Sequence, residues 1–233
     1  LRWLGLADCI VGASRYDDLE VMPTGGVTDP DYGAIAVLAP DLMLTSDWTD
    51  ARQWREKAPK GTRALVLEGF DSMAQVEANL RRIGEAAGLE GIADRVAAFG
   101  EEWRRRARAI PGNGRRVLLL SACSGQPYSF GRGTWLHDLF TRAGFEVVED
   151  HPEIRHLHEG EAVASIRGLV RRTEPEVLFV FTPEKSRQCR RIRRDLPAEV
   201  VRLDGGHFLH PAPVLLKGLA DLRRMDWAQV AAR

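Results

Sequence analysis

The sequence predicts an α/β protein built as two Rossmann-like lobes joined by a single long interdomain helix. Three observations predict it. Short apolar runs of strand length, such as Leu42 to Thr45 and Val117 to Leu120, alternate with segments of helical period along nearly the whole chain. One apolar stripe (Leu89, Ile92, Val96, Phe99, Trp103, Ala107 and Ile110) recurs at steps of three and four. At about 1.5 Å per residue, that helix would run roughly 30 Å. The length, 233 residues, is enough for two cores. The expected division is a first lobe over 1–88, lacking its first strand, a rigid interlobe helix over 89–110, and a second lobe over 111–233.

In the first lobe, Leu1 to Leu6 reads as the tail of a helix and Cys9 to Ala13 as a short buried strand. Ser14 to Val27 has no periodicity and reads as a long loop, a length that is usually functional in a compact domain. Asp29-Pro30-Asp31 suits a helix N-terminus, where acids meet the dipole and proline lacks only a donor that is unused there. A strand at Leu42 to Thr45, a helix at Ala51 to Lys57, a strand at Arg63 to Leu67 and a helix at Ser72 to Ala87 follow. Pro111-Gly112-Asn113-Gly114 stops the long helix.

The second lobe opens with a buried strand at Arg116 to Ser121, an aromatic-bearing loop from Ser124 to Thr134, and a helix from Trp135 to Ala143. Then come a strand at Phe145 to Val148, a helix at Glu161 to Arg172 and a strand at Pro175 to Phe181. A helix from Pro183 to Arg194, a strand at Glu199 to Leu203, a loop at Asp204 to Pro213 and a closing helix at Val214 to Met225 complete it.

Composition narrows the function. A formal net charge of zero argues against a general nucleic-acid partner. Cys9, Cys123 and Cys189 are too few and too scattered for a disulfide framework or a zinc site. No run approaches the ~20 apolar residues of a membrane span, and no export signal is visible. Leu6-Ala7-Asp8-Cys9 matches a lipoprotein cleavage site only superficially. The abrupt apolar start is read as a missing export signal and first strand.

The run from Gly5 to Tyr16, then Gly25-Gly26, then Asp29 to Leu44 with its Pro40-Asp41-Leu42 block, resembles the first lobe of the periplasmic binding proteins that serve cobalamin, haem and ferric-siderophore ABC importers. Gly131, Trp135-Leu136, Asp138-Leu139 and Gly144 are similar to the helix that follows the family's second pocket loop. The resemblance implies a rigid helix between lobes, a ligand cleft, no catalysis, no catalytic cofactor, and a periplasmic or extracytoplasmic location, with or without a lipid anchor. It implies a cobalamin or other corrinoid ligand first, haem second and a ferric siderophore third, with an ABC permease as partner. One departure bears on docking: Gly33 stands where many members carry a permease-facing glutamate.

Seven residues are expected to bind ligand: Tyr16, Trp48, Tyr128, Phe130, His207, Phe208 and His210. All lie on loops after strands, where ligands of open α/β sheets gather, and rings bury much apolar area at low entropic cost. The resemblance matches Tyr16, Tyr128 and the His207-Phe208 pair to aromatic pocket positions of the cobalamin-binding branch. His207 and His210 could ligate iron or cobalt and Tyr16 ferric haem, or the histidines could make ordinary polar contacts. His151, His156 and His158 read as a solvated loop ahead of a zinc site. Gly131-Arg132-Gly133 could receive an anion on backbone N–H groups. Cys123 lacks the hydrolase spacing and reads as a buried thiol, and Arg187 to Arg194 as a solvated helix face. The competing classes are an enzyme or stand-alone binder, and a metal-ion receptor using histidines.

Overall fold

The computed structural model describes residues 1–17, 19–122, 126–182 and 196–227. The chain forms two compact units, Leu1–Gly69 with Ala78–Val96, and Phe70–Glu77 with Ala97–Arg233.

In the first unit, the expected helix tail is two 3-10 turns, Arg2–Leu4 and Ala7–Cys9. The strand β1 is shortened to Gly12–Ala13 and pairs in parallel with β2, Met22–Pro23, a strand inside the expected loop. Helix α1, Tyr32–Leu38, starts at Asp31, whose carboxylate accepts the Ala34 N–H at 2.9 Å. Strand β3, Leu42–Ser46, pairs in parallel with β4, Arg63–Leu67, and α2, Ala51–Glu56, is capped by Asp50 between them. Ile35, Met43, Trp54 and Val66 make the core here.

Helix α3 covers Met73–Ala86 and α4 covers Ile92–Arg108. The apolar stripe of α4 is buried as its period requires: Ile92, Val96, Phe99, Trp103 and Ala107 are each at most 6% exposed. Its 17 residues are fewer than expected, because the positive φ of Gly88 and Gly91 belongs to the turn between the helices. Phe70–Glu77 groups with the second unit rather than the first for a local reason. The Phe70 carbonyl accepts the Trp135 N–H at 3.1 Å, and the Met73 N–H donates to Asp138 at 3.0 Å. Glu77 accepts from Trp103 Nε1 at 2.8 Å and from Arg104 at 2.6 Å.

The second unit is organised on β5, Arg116–Ser121, a run of leucines in which Val117 to Leu120 are fully buried. A strand covered on both faces has no polar side to show, which is why its sequence does not alternate. The loop expected after β5 contains β6, Tyr128–Phe130, which turns back antiparallel against Leu120 and Ser121. Then come α5, Trp135–Arg142, β7, Glu146–Val147, β8, Ile154–His156, and α6, Ile166–Thr173. Strands β9, Val177–Thr182, and β10, Glu199–Asp204, finish the sheet, whose order is β10-β9-β5-β6-β8, with β7 pairing the start of β5. The expected closing loop holds a short helix, α7, Gly205–Phe208, before α8, Leu215–Arg224. The expected helix from Pro183 to Arg194, Cys123, Cys189 and the arginine run lie outside the described residues.

Candidate functional site

The seven candidates separate sharply once burial is known. In the first unit, Trp48 follows the end of β3 and is 74% exposed. Its turn is nonetheless pinned. The Asp47 N–H donates to Leu67 O at 3.0 Å, the Asp47 carboxylate accepts the Gly69 N–H at 2.8 Å, and the Thr49 hydroxyl donates to Val27 O at 2.6 Å. The held turn thus presents the indole to water. Tyr16 follows β1 and is 75% exposed. Beside it, the Arg15 guanidinium stands 5.9 Å from the ring centroid and pairs with Asp29 at 2.5 Å. The loop around it is closed by Arg15 N–H donating to Gly25 O and Gly26 N–H to Asp29 O. At Gly25, φ is +86° and a side chain would meet the backbone of Asp29 and Asp31.

In the second unit, Tyr128 pairs with Ser121, the last residue of β5, and across β8 with His156, whose ring centroid is 6.0 Å away. Tyr128 is partly exposed and His156 exposed. Phe130 and Phe208 correct the expectation that they line a ligand surface. Phe130 is 1% exposed and packs against Trp135 and Phe181, with centroids 5.6 and 5.7 Å away. Phe208 is fully buried against Phe181 and Phe140, at 5.2 and 5.9 Å. Each ring completes the core beneath a loop, and a ligand reaching either would have to displace packed aromatics. The Phe208 carbonyl accepts Trp135 Nε1 at 3.1 Å and so ties α7 to α5.

His207, next to that anchor, is half-buried with Nδ1 2.6 Å from Asp221 and Nε2 3.7 Å from Asp204. Asp221 also accepts from Arg224 at 2.5 Å. His210 is exposed and its ring has no hydrogen bond among the described residues. The sequence offered no signal for Asp221, because its partner lies fourteen residues away on another element.

The remaining motifs resolve into structure. Gly131, Arg132 and Gly133 donate their backbone N–H groups to Glu153 O, His151 O and Pro152 O at 2.9, 2.9 and 2.6 Å. The donors an anion would need are therefore consumed. The glycines are needed because side chains there would strike those same carbonyls. The histidines of 151–158 do not converge: His151 Nδ1 accepts the Glu153 N–H, and His158 pairs with Glu161. Among the described residues no three metal-ligating side chains come together.

One buried acid was not foreseen. Glu149 is fully buried, accepting from the Ser129 hydroxyl, the His151 N–H and Arg155 Nε. Arg155 and Arg172 both donate to Asp150 at 2.8 Å. The hydrogen bond from Arg172 holds the Asp150 carboxyl below its usual range. This network stitches β8 and α6 to the strand region after β7. On α5, burial lowers the His137 pKa, with a smaller push the same way from Arg132 against an opposing one from Asp138.

No protein-family model matches the sequence, and no curated protein matches it. The fold matches solved structures over most of their length. The apo form of the periplasmic heme-binding protein RhuT from Roseiflexus sp. RS-1 is 19% identical, with TM-score 0.71, over 94% of this chain and 90% of that one. The periplasmic vitamin B12 binding protein BtuF of Vibrio cholerae is 16% identical, with TM-score 0.71, over 94% and 89%. The petrobactin-binding protein YclQ from Bacillus subtilis is 18% identical, with TM-score 0.69, over 97% and 88%. The chain has the fold of these binding proteins.

Proposed function

We propose that this protein is the extracytoplasmic solute-binding component of an ABC importer and that it captures a metal-bearing macrocycle or chelate without catalysing a reaction. The observation that carries the reading is the fold shared over more than nine-tenths of the chain with proteins that bind heme, vitamin B12 and petrobactin. It is supported by the exposure of Tyr16 and Trp48 after strands of the first unit, and by Tyr128, His207 and His210 after strands of the second. None of the described helices is long and apolar enough to cross a membrane.

A cobalamin or other corrinoid is the first ligand. Haem is the second, and burial of Phe130 and Phe208 favours it by shrinking the aromatic wall a bulky corrinoid would use. The partner is an ABC permease. Gly33 is exposed on α1, so docking there proceeds without the glutamate pairing common in the family. Visible-absorbance and calorimetric titrations with hydroxocobalamin, hemin and a ferric siderophore test the reading. Saturable binding of one of them is expected; binding of none would sink it.

A further inference from the structure

We propose that Glu149 is a positioning residue for solute capture: its buried carboxylate pins the register of the β6-β8 ribbon and so holds Tyr128 and His156 together at the carboxyl end of β5. The inference rests on the solute-binding reading above and names the side chains through which Glu149 acts on it.

Side chains alternate along a strand, so the pairing of Tyr128 with His156, Ser129 with Arg155 and Phe130 with Ile154 divides the ribbon into two faces. On one face Phe130 is sunk among the core aromatics, and Tyr128 meets its ring with centroids 5.4 Å apart. His156 stands outermost on that face, 6.0 Å from Tyr128. The other face carries Ser129 and Arg155, and both bond to Glu149. The Ser129 hydroxyl donates to Oε2, and Arg155 Nε donates to Oε1 at 3.1 Å. The His151 N–H, also at 3.1 Å, fixes the carboxylate itself. Asp150 braces Arg155 and is held in turn by Arg172 of α6, each at 2.8 Å. Glu149 is fully buried and the Arg155 side chain is 11% exposed. One acid thus grips both members of a cross-strand pair.

Strands this short need such a grip. Strands β6 and β8 have three residues each, and β6 meets β5 through two residue pairs. The apolar packing of Phe130 resists separation but is non-directional, so it tolerates sliding. The ladder continues at both ends, from Leu157 N–H to Pro127 O and from Gly131 N–H to Glu153 O, each at 2.9 Å. Backbone groups find new partners after a slip; a side-chain contact does not. A slip of one residue turns a strand's side chains to the opposite face. For β6 that takes Ser129 off Glu149 and Tyr128 away from His156. For β8 it parts Arg155 from its counter-charge in the interior, which is strongly unfavourable. Register here decides function, because Tyr128 pairs with Ser121, the last residue of β5, where solutes of α/β sheets gather.

The pin is tested first without solute. The imidazole C–H resonances of His156, identified by their loss in His156→Gln, should carry a ring-current shift from Tyr128 that Tyr128→Leu removes. Glu149→Gln and Ser129→Ala, each checked for folding by circular dichroism, should move those resonances to their position in Tyr128→Leu. Hemin, hydroxocobalamin and a ferric siderophore are then titrated, and the solute that binds enters a mutant cycle. Glu149→Gln should raise its Kd about tenfold in the wild-type background, but about twofold or less once Tyr128→Leu and His156→Gln are both present. An equal loss in the two backgrounds would show that Glu149 supports the fold alone. His156 resonances unmoved in both Glu149→Gln and Ser129→Ala would remove the pin. Either result overturns the proposal while leaving solute binding intact. Wild type that binds no solute of the set overturns the parent reading and any role of Glu149 in capture, while the resonances still report the register.

Discussion

Single residues decide what this surface can do, and exposure sorts them. Trp48 has no packing role to lose, so Trp48→Ala should leave stability within about 0.5 kcal/mol. The same change should cost about 1.4 kcal/mol of ligand affinity, a tenfold rise in Kd. Calorimetry beside urea denaturation separates the two, and a stability loss without an affinity loss would return Trp48 to structure. His137 makes a pH prediction. Burial lowers its pKa in the folded protein below 6.5, so around and below that pH the unfolded chain binds more protons than the native one. Its contribution is therefore fully present above about pH 6.5 and is lost as pH falls through the lower, folded-state value. Urea midpoints between pH 7.5 and 5 should fall less steeply in His137→Gln than in wild type. Parallel curves would show that another group carries the slope.

Elements show where sequence pattern has authority and where it ends. The α4 stripe was legible because a helical period repeated over five turns has one physical solution, a buried face. The leucines of β5 were equally plain. Strands β2, β6 and β8 were hidden inside expected loops, since pieces of two or three residues are too short to establish a period and exist only through their partners. Helix α8 illustrates a constraint visible only in three dimensions. A side chain at Gly218 would lie 2.7 Å from the Cε1 and Cζ atoms of Phe208. Alanine normally favours a helix by about 1 kcal/mol over glycine, yet here the ring it would strike is locked among Phe140 and Phe181. Gly218→Ala should therefore destabilise, by about 1–3 kcal/mol, and a higher urea midpoint would show that the ring can yield.

At the scale of the whole molecule, the alternation of strands and helices was enough to read two α/β units, while the site was only half legible. Position after a strand identified Tyr16, Trp48, Tyr128 and His207 as candidates, but the same rule also picked Phe130 and Phe208, which fold inward. Loop position says that a residue stands near the end of a sheet; it carries no information about which way the ring turns. The pairing of His207 with Asp221 was illegible for a related reason, since its partners meet only when α7 and α8 pack. A binding protein makes one further demand on the whole chain. A solute that binds the native fold and not the unfolded chain must stabilise it by RT ln(1 + [L]/Kd), about 2.7 kcal/mol at a free concentration one hundred times Kd. The denaturation midpoint should thus climb without a plateau as the logarithm of hemin or hydroxocobalamin concentration rises, the climb setting in near the Kd measured by titration. Trp48→Ala should shift that line to higher concentration without changing its slope. A midpoint indifferent to ligand, despite a visible spectral change, would mean the pigment adheres equally to folded and unfolded chain and is no true solute of this protein.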